Sequence, residues 1–428
     1  LVPSEGPQMI AFTGAGGKTS LMAALAGDLP GKIVITTTTR LGREQVEAAA
    51  DSLPAAIGRF PNISPLRCTR ISLVVGPDVE DDKVGGVDLV VPGQLLAQPD
   101  VSFVLVEADG ARLLPLKAPA DYEPAVPPLT DLVIPVVGID AVGEQLATVA
   151  HRPQLAAALL GKELHDLVTP SDLAEIVTHA QGGLKNAPQQ ARIVAAINKV
   201  ETAGQLRIAR AAAREMLREP LIERVLITAA ERPEPLVEVQ KRVTAVILSA
   251  GESKRMGRPK LLLPWGDRTV LGQTIANAQQ SGIHDCLVVS GAGAGAVSQI
   301  AQAAGAPVMY NENYAAGEML SSLQTAVTQL SPQIEAVLVV LGDQPMVEPG
   351  TIDRILEAFW RGDGEIIAPQ FASRRGNPVL IGRRHFGDLL ALPAGAAPRD
   401  LLRKYAPVLI PVESESVLLD IDDVQDYE

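Results

Sequence analysis

At 428 residues, 47% of them apolar and 20% charged, the chain is a globular protein too long for one ordinary core, and two or three domains are expected. A formal net charge of −13 argues against non-specific nucleic-acid binding, which needs a basic face, so any phosphate chemistry must come from local basic loops. The cysteines, Cys68 and Cys286, stand far apart without histidine neighbours, which excludes a disulfide framework and a cysteine-based zinc or iron–sulfur site; no apolar run reaches the ~18 residues that span a bilayer.

The chain opens on Leu1-Val2-Pro3-Ser4, without a basic-then-apolar leader pattern, and a cytoplasmic location is the expectation. Short β-branched runs then alternate with alanine- and leucine-rich segments, the rhythm of strand–helix–strand units around a parallel sheet. Strands are expected at 9–13, 32–36, 103–106, 132–136, 191–197 and 224–227, and again at 244–248, 286–289, 308–310, 336–341, 365–368 and 378–381. Between the two sets lies Ala230-Glu231-Arg232-Pro233-Glu234-Pro235, charged and with two prolines that cannot continue a helix. The expected division is a domain over 1–230, a linker over 231–242 and a domain over 243–428. Each half opens with a strand and a glycine-rich turn, so the fold class expected is α/β in two domains, the first of P-loop type and the second Rossmann-like.

In the first half, Met9-Ile10-Ala11-Phe12-Thr13 leads into Gly14-Ala15-Gly16-Gly17-Lys18-Thr19. The usual P-loop has a further glycine where Phe12 stands; the spacing instead resembles the shortened loop of the peptidoglycan-type ligases. Backbone N–H groups and a helix N-terminus would meet phosphates, with Gly14, Gly16 and Gly17 shaping the loop, Lys18 reaching the terminal phosphate and Thr19 reaching Mg²⁺. The alternative is a structural glycine turn. Thr36 to Thr39 put hydroxyls at a second strand end, and Glu107 and Asp109 end a third apolar strand, the usual place for acids that hold a hydrated metal. Asn198-Lys199-Val200-Glu201 is either a variant of the base-reading Asn-Lys-x-Asp of GTPases or a chance match. His151, His165 and His179 are read as structural or as metal-handling groups.

The second half carries Leu248-Ser249-Ala250-Gly251, after which Lys254, Arg255, Arg258 and Lys260 fall within seven residues. Small residues after a buried strand let a ligand approach the backbone, and the cations can neutralise a triphosphate; the bland alternative is a solvated basic turn. Ala336 to Leu341 reads as a central strand that delivers Gly342-Asp343 to the crevice where open α/β sheets bind ligands. A carboxylate there suits Mg²⁺.

These residues carry two resemblances. The run from Leu248 through Gly251, Ser253, Arg255, Met256, Gly257, Pro259 and Lys260 resembles the signature of the molybdenum-cofactor nucleotidyltransferases, and Leu261-Leu262-Leu263-Pro264 is similar to their cytidylyltransferase branch (MocA/MobA-like, GT-A-like fold). Asn313, Gly317, Met319, Ser321, Ser322, Gly376-Asn377-Pro378 and Asp420-Ile421-Asp422 match further motifs in order, over about 243–427. The resemblance implies CTP and molybdopterin cofactor as substrates and an attack by the cofactor phosphate on the α-phosphorus. It implies a nucleotide site from Leu248, Ala250, Gly251, Ser253, Asn313 and Ser322, with Arg255, Lys260 and Asp343 carrying the chemistry and Asp343 with Asp422 holding Mg²⁺. The glycine loop, the four threonines, 106–112, Pro115 to Pro119 and His151-Arg152-Pro153 resemble the YqeC-type accessory proteins of selenium-dependent molybdenum hydroxylases. That resemblance implies a pathway more than a reaction, with a hydroxylase apoenzyme as partner; ATP or GTP at the first domain, with Thr19, Glu107 and Asp109 around its metal, is the expectation from the glycine loop and the strand ends. A sugar-phosphate nucleotidyltransferase and a cofactor-carrying chaperone remain alternatives.

Overall fold

A computed structural model describes residues 6–44, 46–47, 55–60, 69–80, 82–251 and 256–428. The chain divides into two compact units, Leu1–Gln240 and Lys241–Glu428.

The first unit is built on nine strands: β1 (Gln8–Gly14), β2 (Lys32–Thr37), β3 (Ala56–Arg59), β4 (Ile71–Val75), β5 (Val101–Glu107), β6 (Leu132–Gly138), β7 (Arg192–Asn198), β8 (Ile222–Thr228) and β9 (Leu236–Gln240). Their order across the sheet is β9-β8-β7-β6-β1-β5-β2-β4-β3, parallel except for β9. Strands that follow β1 up to β5 lie on one side of it, and those from β6 onward lie on the other. The strand order therefore reverses at β1, the kind of switch point whose carboxyl end opens into a ligand crevice. Alternate residues of β1 explain its continuous apolar run: Ile10 and Phe12 enter one buried cluster while Met9 and Ala11 enter another on the opposite face.

In the second unit the strands are β10 (Val243–Ser249), β11 (Asp285–Ser290), β12 (Val308–Tyr310), β13 (Ala336–Leu341), β14 (Ile366–Phe371), β15 (Arg374–Arg375), β16 (Val379–Gly382) and β17 (Val408–Pro411). They run in the order β12-β11-β10-β13-β16-β14-β15, with β17 beside β14. β16 is antiparallel to β13, so this sheet is mixed where a parallel one was expected. The reversal falls at β10, which is parallel to both β11 and β13. Among the described residues no helix is long and apolar enough to cross a membrane.

The expected strands are all present, but among the described residues five strands of the two main sheets were not foreseen: β3, β4, β9, β15 and β17. β9 corrects the expected linker over 231–242. Its residues 236–240 pair antiparallel with β8, and Glu238, 2% exposed, is paired with Arg210. The alternation of apolar Val237 and Val239 with Glu238 and Gln240 reads as exposed until Arg210 supplies the partner. A fragment ending at Ala230 should therefore melt lower than one ending at Gln240, by ~5 °C or more, since it leaves β8 as a bare edge and removes Glu238 from Arg210. Circular dichroism melts of the two fragments decide this; equal midpoints would show that β9 adds nothing to the first core.

Candidate functional sites

Each unit gathers its candidate residues at the carboxyl edge of its sheet. In the first, β1 runs through Gly14 to Gly17 into helix α1 (Lys18–Asp28). Gly16 has φ +81°, and a Cβ there would fall 2.2 Å from the Gly138 nitrogen, so no other residue fits. The first amides of the loop are used internally. Gly14 N–H donates to Asp109 Oδ2 (3.1 Å), Ala15 N–H to the Val136 carbonyl (2.8 Å) and Gly16 N–H to the Leu114 carbonyl (3.1 Å). Gly14 and Gly16 therefore shape the loop, and the helix N-terminus from Gly17 to Thr19 faces the cleft.

That cleft measures about 950 Å³, with Lys18, Thr19, Thr38, Thr39 and Glu107 on its walls. Behind it runs a ladder of buried charges. Lys18, 4% exposed, donates to the Gly14 carbonyl (2.7 Å) and lies 3.2 Å from Asp109 and 3.9 Å from Glu107. Lys117 joins Asp109 (3.1 Å) to Glu123 (2.9 Å), and Arg152 pairs with the same Glu123 oxygen. Thr19 Oγ1 donates to Glu107 at 3.4 Å. The expected metal pair thus separates: Glu107 faces the cleft beside Thr19, whereas Asp109, 1% exposed, is the buried counter-ion of two lysines. Burial, foremost, raises the Glu107 carboxyl above its ordinary value against the pull of Lys18, with Asp109 adding to the rise. Burial also pushes Glu123 up, but its bonds from Arg152 and Lys117 prevail and hold it below the ordinary range.

Asn198, buried at the end of β7, donates to the Gly16 carbonyl (2.9 Å) and accepts from Thr228 and the Ala230 amide (3.0 Å each). It ties the glycine loop to the sheet. The three histidines are not gathered: His151 lines the cleft, His165 is exposed and His179 Nδ1 accepts from the Gln181 amide in a turn.

In the second unit β10 ends at Ser249, and Gly342 approaches so closely that a Cβ would lie 2.7 Å from Ser249 Oγ. The Gly342 amide donates to the Leu248 carbonyl (3.0 Å) and the Ala292 amide to that of Ala250 (3.2 Å), so Leu248 and Ala250 frame the turn with their backbones. Gly251 is exposed beyond them. Lys260, opening a short 3₁₀ turn, sets its ammonium 2.5 Å from Asp343 and 2.8 Å from Asp422. Burial lowers the Lys260 ammonium, but the two carboxylates prevail and its affinity for the proton is raised. Asp420 is raised in turn by burial and by Asp343 and Asp422. The backbone helps to join the chain end to the site, since Ile421 N–H donates to the Asp343 carbonyl at 3.1 Å.

Ser253 and Arg255 lie outside the described residues. Asn313 is exposed at the start of the helix Tyr314–Gln329, while Ser322 is buried and accepts from Asn311 Nδ2 (3.0 Å), so Ser322 supports rather than lines an open wall. The buried polar group here is Asn311, which also donates to Ser321 and accepts from the Asn313 amide. Sequence reasoning chose the neighbouring asparagine; the end of β12 one residue earlier was the signal for Asn311.

A glycine turn at the reversal of a mixed α/β sheet, with a lysine and two aspartates at the neighbouring strand end, defines a nucleotidyltransferase. Residues 245–408 match the profile of the MobA-like NTP transferase domain, and residues 10–154 match that of the YqeC protein. The chain belongs to both families, YqeC through its first unit and the MobA-like NTP transferases through its second. It is 34% identical over 201 residues to the uncharacterized protein YqeC of Escherichia coli, covering 45% of this chain and 76% of that protein. It is 30% identical over 187 residues to the molybdenum cofactor cytidylyltransferase of the same organism, covering 43% and 93%. The crystal structure of Rv0371c from Mycobacterium tuberculosis is 33% identical, with 44% of this chain and 96% of that one covered and a TM-score of 0.39.

Proposed function

We propose that the second unit transfers a cytidylyl group from CTP to the phosphate of molybdenum–molybdopterin, and that the first unit binds ATP or GTP as an accessory to that pathway in the cytoplasm. An oxygen of the cofactor phosphate forms the new bond to the α-phosphorus while the bond to the β-phosphate oxygen breaks and pyrophosphate leaves. The acceptor is already an anion, so no general base is needed, and the work is positioning and charge neutralisation. The chain covers 93% of a relative named for this transfer. The observation that carries the reading is Lys260 held between Asp343 and Asp422.

Mg²⁺ fits that place, because the ammonium already stands there as a cation between two carboxylates. Asp343 and Asp422 would hold the ion, which supplies positive charge against the triphosphate; phosphate oxygens and water complete such shells. Lys260, freed from the acids, and Arg255 would face the phosphates, with Gly251 permitting their close approach. Ser253 and Asn313 remain proposed nucleotide contacts, and Ser322 acts through Asn311. In the first unit Thr19 and Glu107 are the proposed metal-facing pair and Lys18 the phosphate-facing cation. A molybdenum hydroxylase apoenzyme is the proposed recipient of the finished cofactor.

The test supplies purified protein with molybdenum–molybdopterin, Mg²⁺ and, in separate reactions, CTP, GTP or ATP. Pyrophosphate and a cytidine dinucleotide of the cofactor should form with CTP. No pyrophosphate with any nucleotide would favour the chaperone reading, and turnover with a sugar phosphate instead of the pterin would redirect the acceptor.

Asn198 gives a separate check on the first unit. Asn198→Ala removes a buried amide from Gly16, Thr228 and Ala230, and should cost about 1–3 kcal/mol of stability. The ratio of ATP to GTP affinity should stay the same in the variant. A collapse of that ratio, measured by calorimetry, would make Asn198 a base-reading residue after all.

A further inference from the structure

The cleft of the first unit extends well past the glycine loop, and its far part is built differently. Arg152 is four ion-pair links from Lys18, through Asp109, Lys117 and Glu123. Its guanidinium is oriented from two directions: Nη1 pairs with Glu123, and Nη2 donates to Tyr122 Oη at 3.3 Å, with the ring 5.9 Å away. Tyr122 is 75% exposed, an unusual place for a large aromatic side chain that already orients an arginine. His151 lines the same wall, and its buried Nδ1 has no hydrogen-bond partner. The groups that face it are Arg152, Lys117, Glu123 and Arg112; burial first, then Arg152 and Lys117, hold the ring below its ordinary value, with Glu123 opposing.

Backbone strain collects here as well. Seven described residues other than glycine have positive φ, and three of them, Arg112 (+51°), Leu113 (+62°) and Arg152 (+65°), line this one cleft. Left-handed backbone at such residues is disfavoured and persists where surroundings impose it, commonly at ligand clamps. Lys117 is fully buried between Asp109 and Glu123, so the cations that reach the cleft from this wall are Arg112, which is exposed, and Arg152, which shares Glu123 with Lys117.

We propose that this wall is a second-substrate subsite that binds an oxyanion, a carboxylate or a phosphate, through Arg112, Arg152 and His151, beside the nucleotide held by the glycine loop. The inference rests on the proposed nucleotide site for its setting. A two-armed cationic clamp suits the forked oxygens of such groups, and His151 lines the same wall.

Calorimetry on the full chain tests it, with the β,γ-imido analogue of ATP, CTP and Mg²⁺ present to fill both nucleotide sites, and with inorganic phosphate and succinate as separate titrants. One of the two anions should bind saturably, and which one does separates the phosphate source from the carboxylate source. Arg112→Ala should weaken that binding at least tenfold while the affinity for the ATP analogue changes less than twofold; Arg112 is exposed, so this variant keeps the fold. Arg152→Lys should weaken it similarly, because an ammonium cannot reproduce the forked geometry. If neither anion binds, or both variants bind as the parent does, the subsite does not exist. If Arg112→Ala instead weakens the ATP analogue, the wall belongs to the nucleotide pocket and the proposal fails. If the analogue does not bind the parent protein, the nucleotide reading falls on its own, and loss of anion binding in Arg112→Ala still supports the subsite.

Discussion

Asp343→Ala should lower CTP-dependent pyrophosphate release at least about a hundredfold, in line with the loss of one positioned electrostatic group from a transfer site. Its carboxylate is one of the two that hold Lys260, at 2.5 Å, and it lies at the end of the central strand β13. The fold should survive the change. Asp343 is partly exposed, and its link to the chain end runs through its backbone carbonyl, which alanine keeps. Thermal melts would then agree within a few degrees while turnover collapses at saturating Mg²⁺. Near-normal turnover would remove Asp343 from the site and leave Asp422 and Asp420 as the acids to examine.

Lys18→Ala should act twice. Losing a charge-assisted contact to a terminal phosphate weakens nucleotide binding to the first unit by roughly ten- to more than a hundredfold, from about 1.5–3 kcal/mol. The structure adds a second effect, since Lys18 neutralises buried Asp109 and Glu107. Removing one partner from such a pair costs about 3–5 kcal/mol of stability. Part of that cost should depend on pH. The Glu107 carboxyl is already above its ordinary 4.5 through burial, and losing Lys18 raises it further. The folded variant then binds a proton that the unfolded chain releases, so its stability is greatest in acid and declines as pH rises from 4.5 through the raised value. Denaturant titrations of parent and variant at several pH values would show the gap widening upward. A constant gap would mean that Glu107 does not feel Lys18. CTP binding by the second unit should be unchanged, because the sites share no partner.

The sequence made the strand ends legible because fully buried parallel strands are short unbroken apolar runs, and the residues that follow them are the site. The glycine loop, Glu107 and Asp343 were chosen as candidates in that way, and Lys260 from the basic loop after β10. What stayed hidden depends on contacts across the fold. Nothing local says that Asp109 faces two lysines rather than a metal, since Lys117 reaches it from another segment. Nor does the run Leu236 to Gln240 announce a strand when Glu238 looks like surface and its partner Arg210 lies on a helix. Asp420 and Asp422 lie beyond the matched profile, which ends at residue 408; the resemblance named them, and the Lys260–Asp422 pair and the Ile421 amide on the Asp343 carbonyl bring them to the strand end. The buried role of Asn311, which bonds Ser321 and Ser322, was not legible, because Asn311 and Asn313 both follow one short strand and burial alone tells them apart.

Both units keep the lysine proposed to face phosphate engaged with acids, Lys18 on Asp109 and Lys260 on Asp343 and Asp422. Each lysine stands against two carboxylates, so each incoming partner has a competitor. A phosphate must draw the lysine from its carboxylates, and in the second unit a divalent cation must displace Lys260 from the same carboxylates. Either arrival removes the competitor of the other. Nucleotide and metal should therefore bind with positive cooperativity, each weak alone, and the factor by which Mg²⁺ tightens CTP must equal the factor by which CTP tightens Mg²⁺.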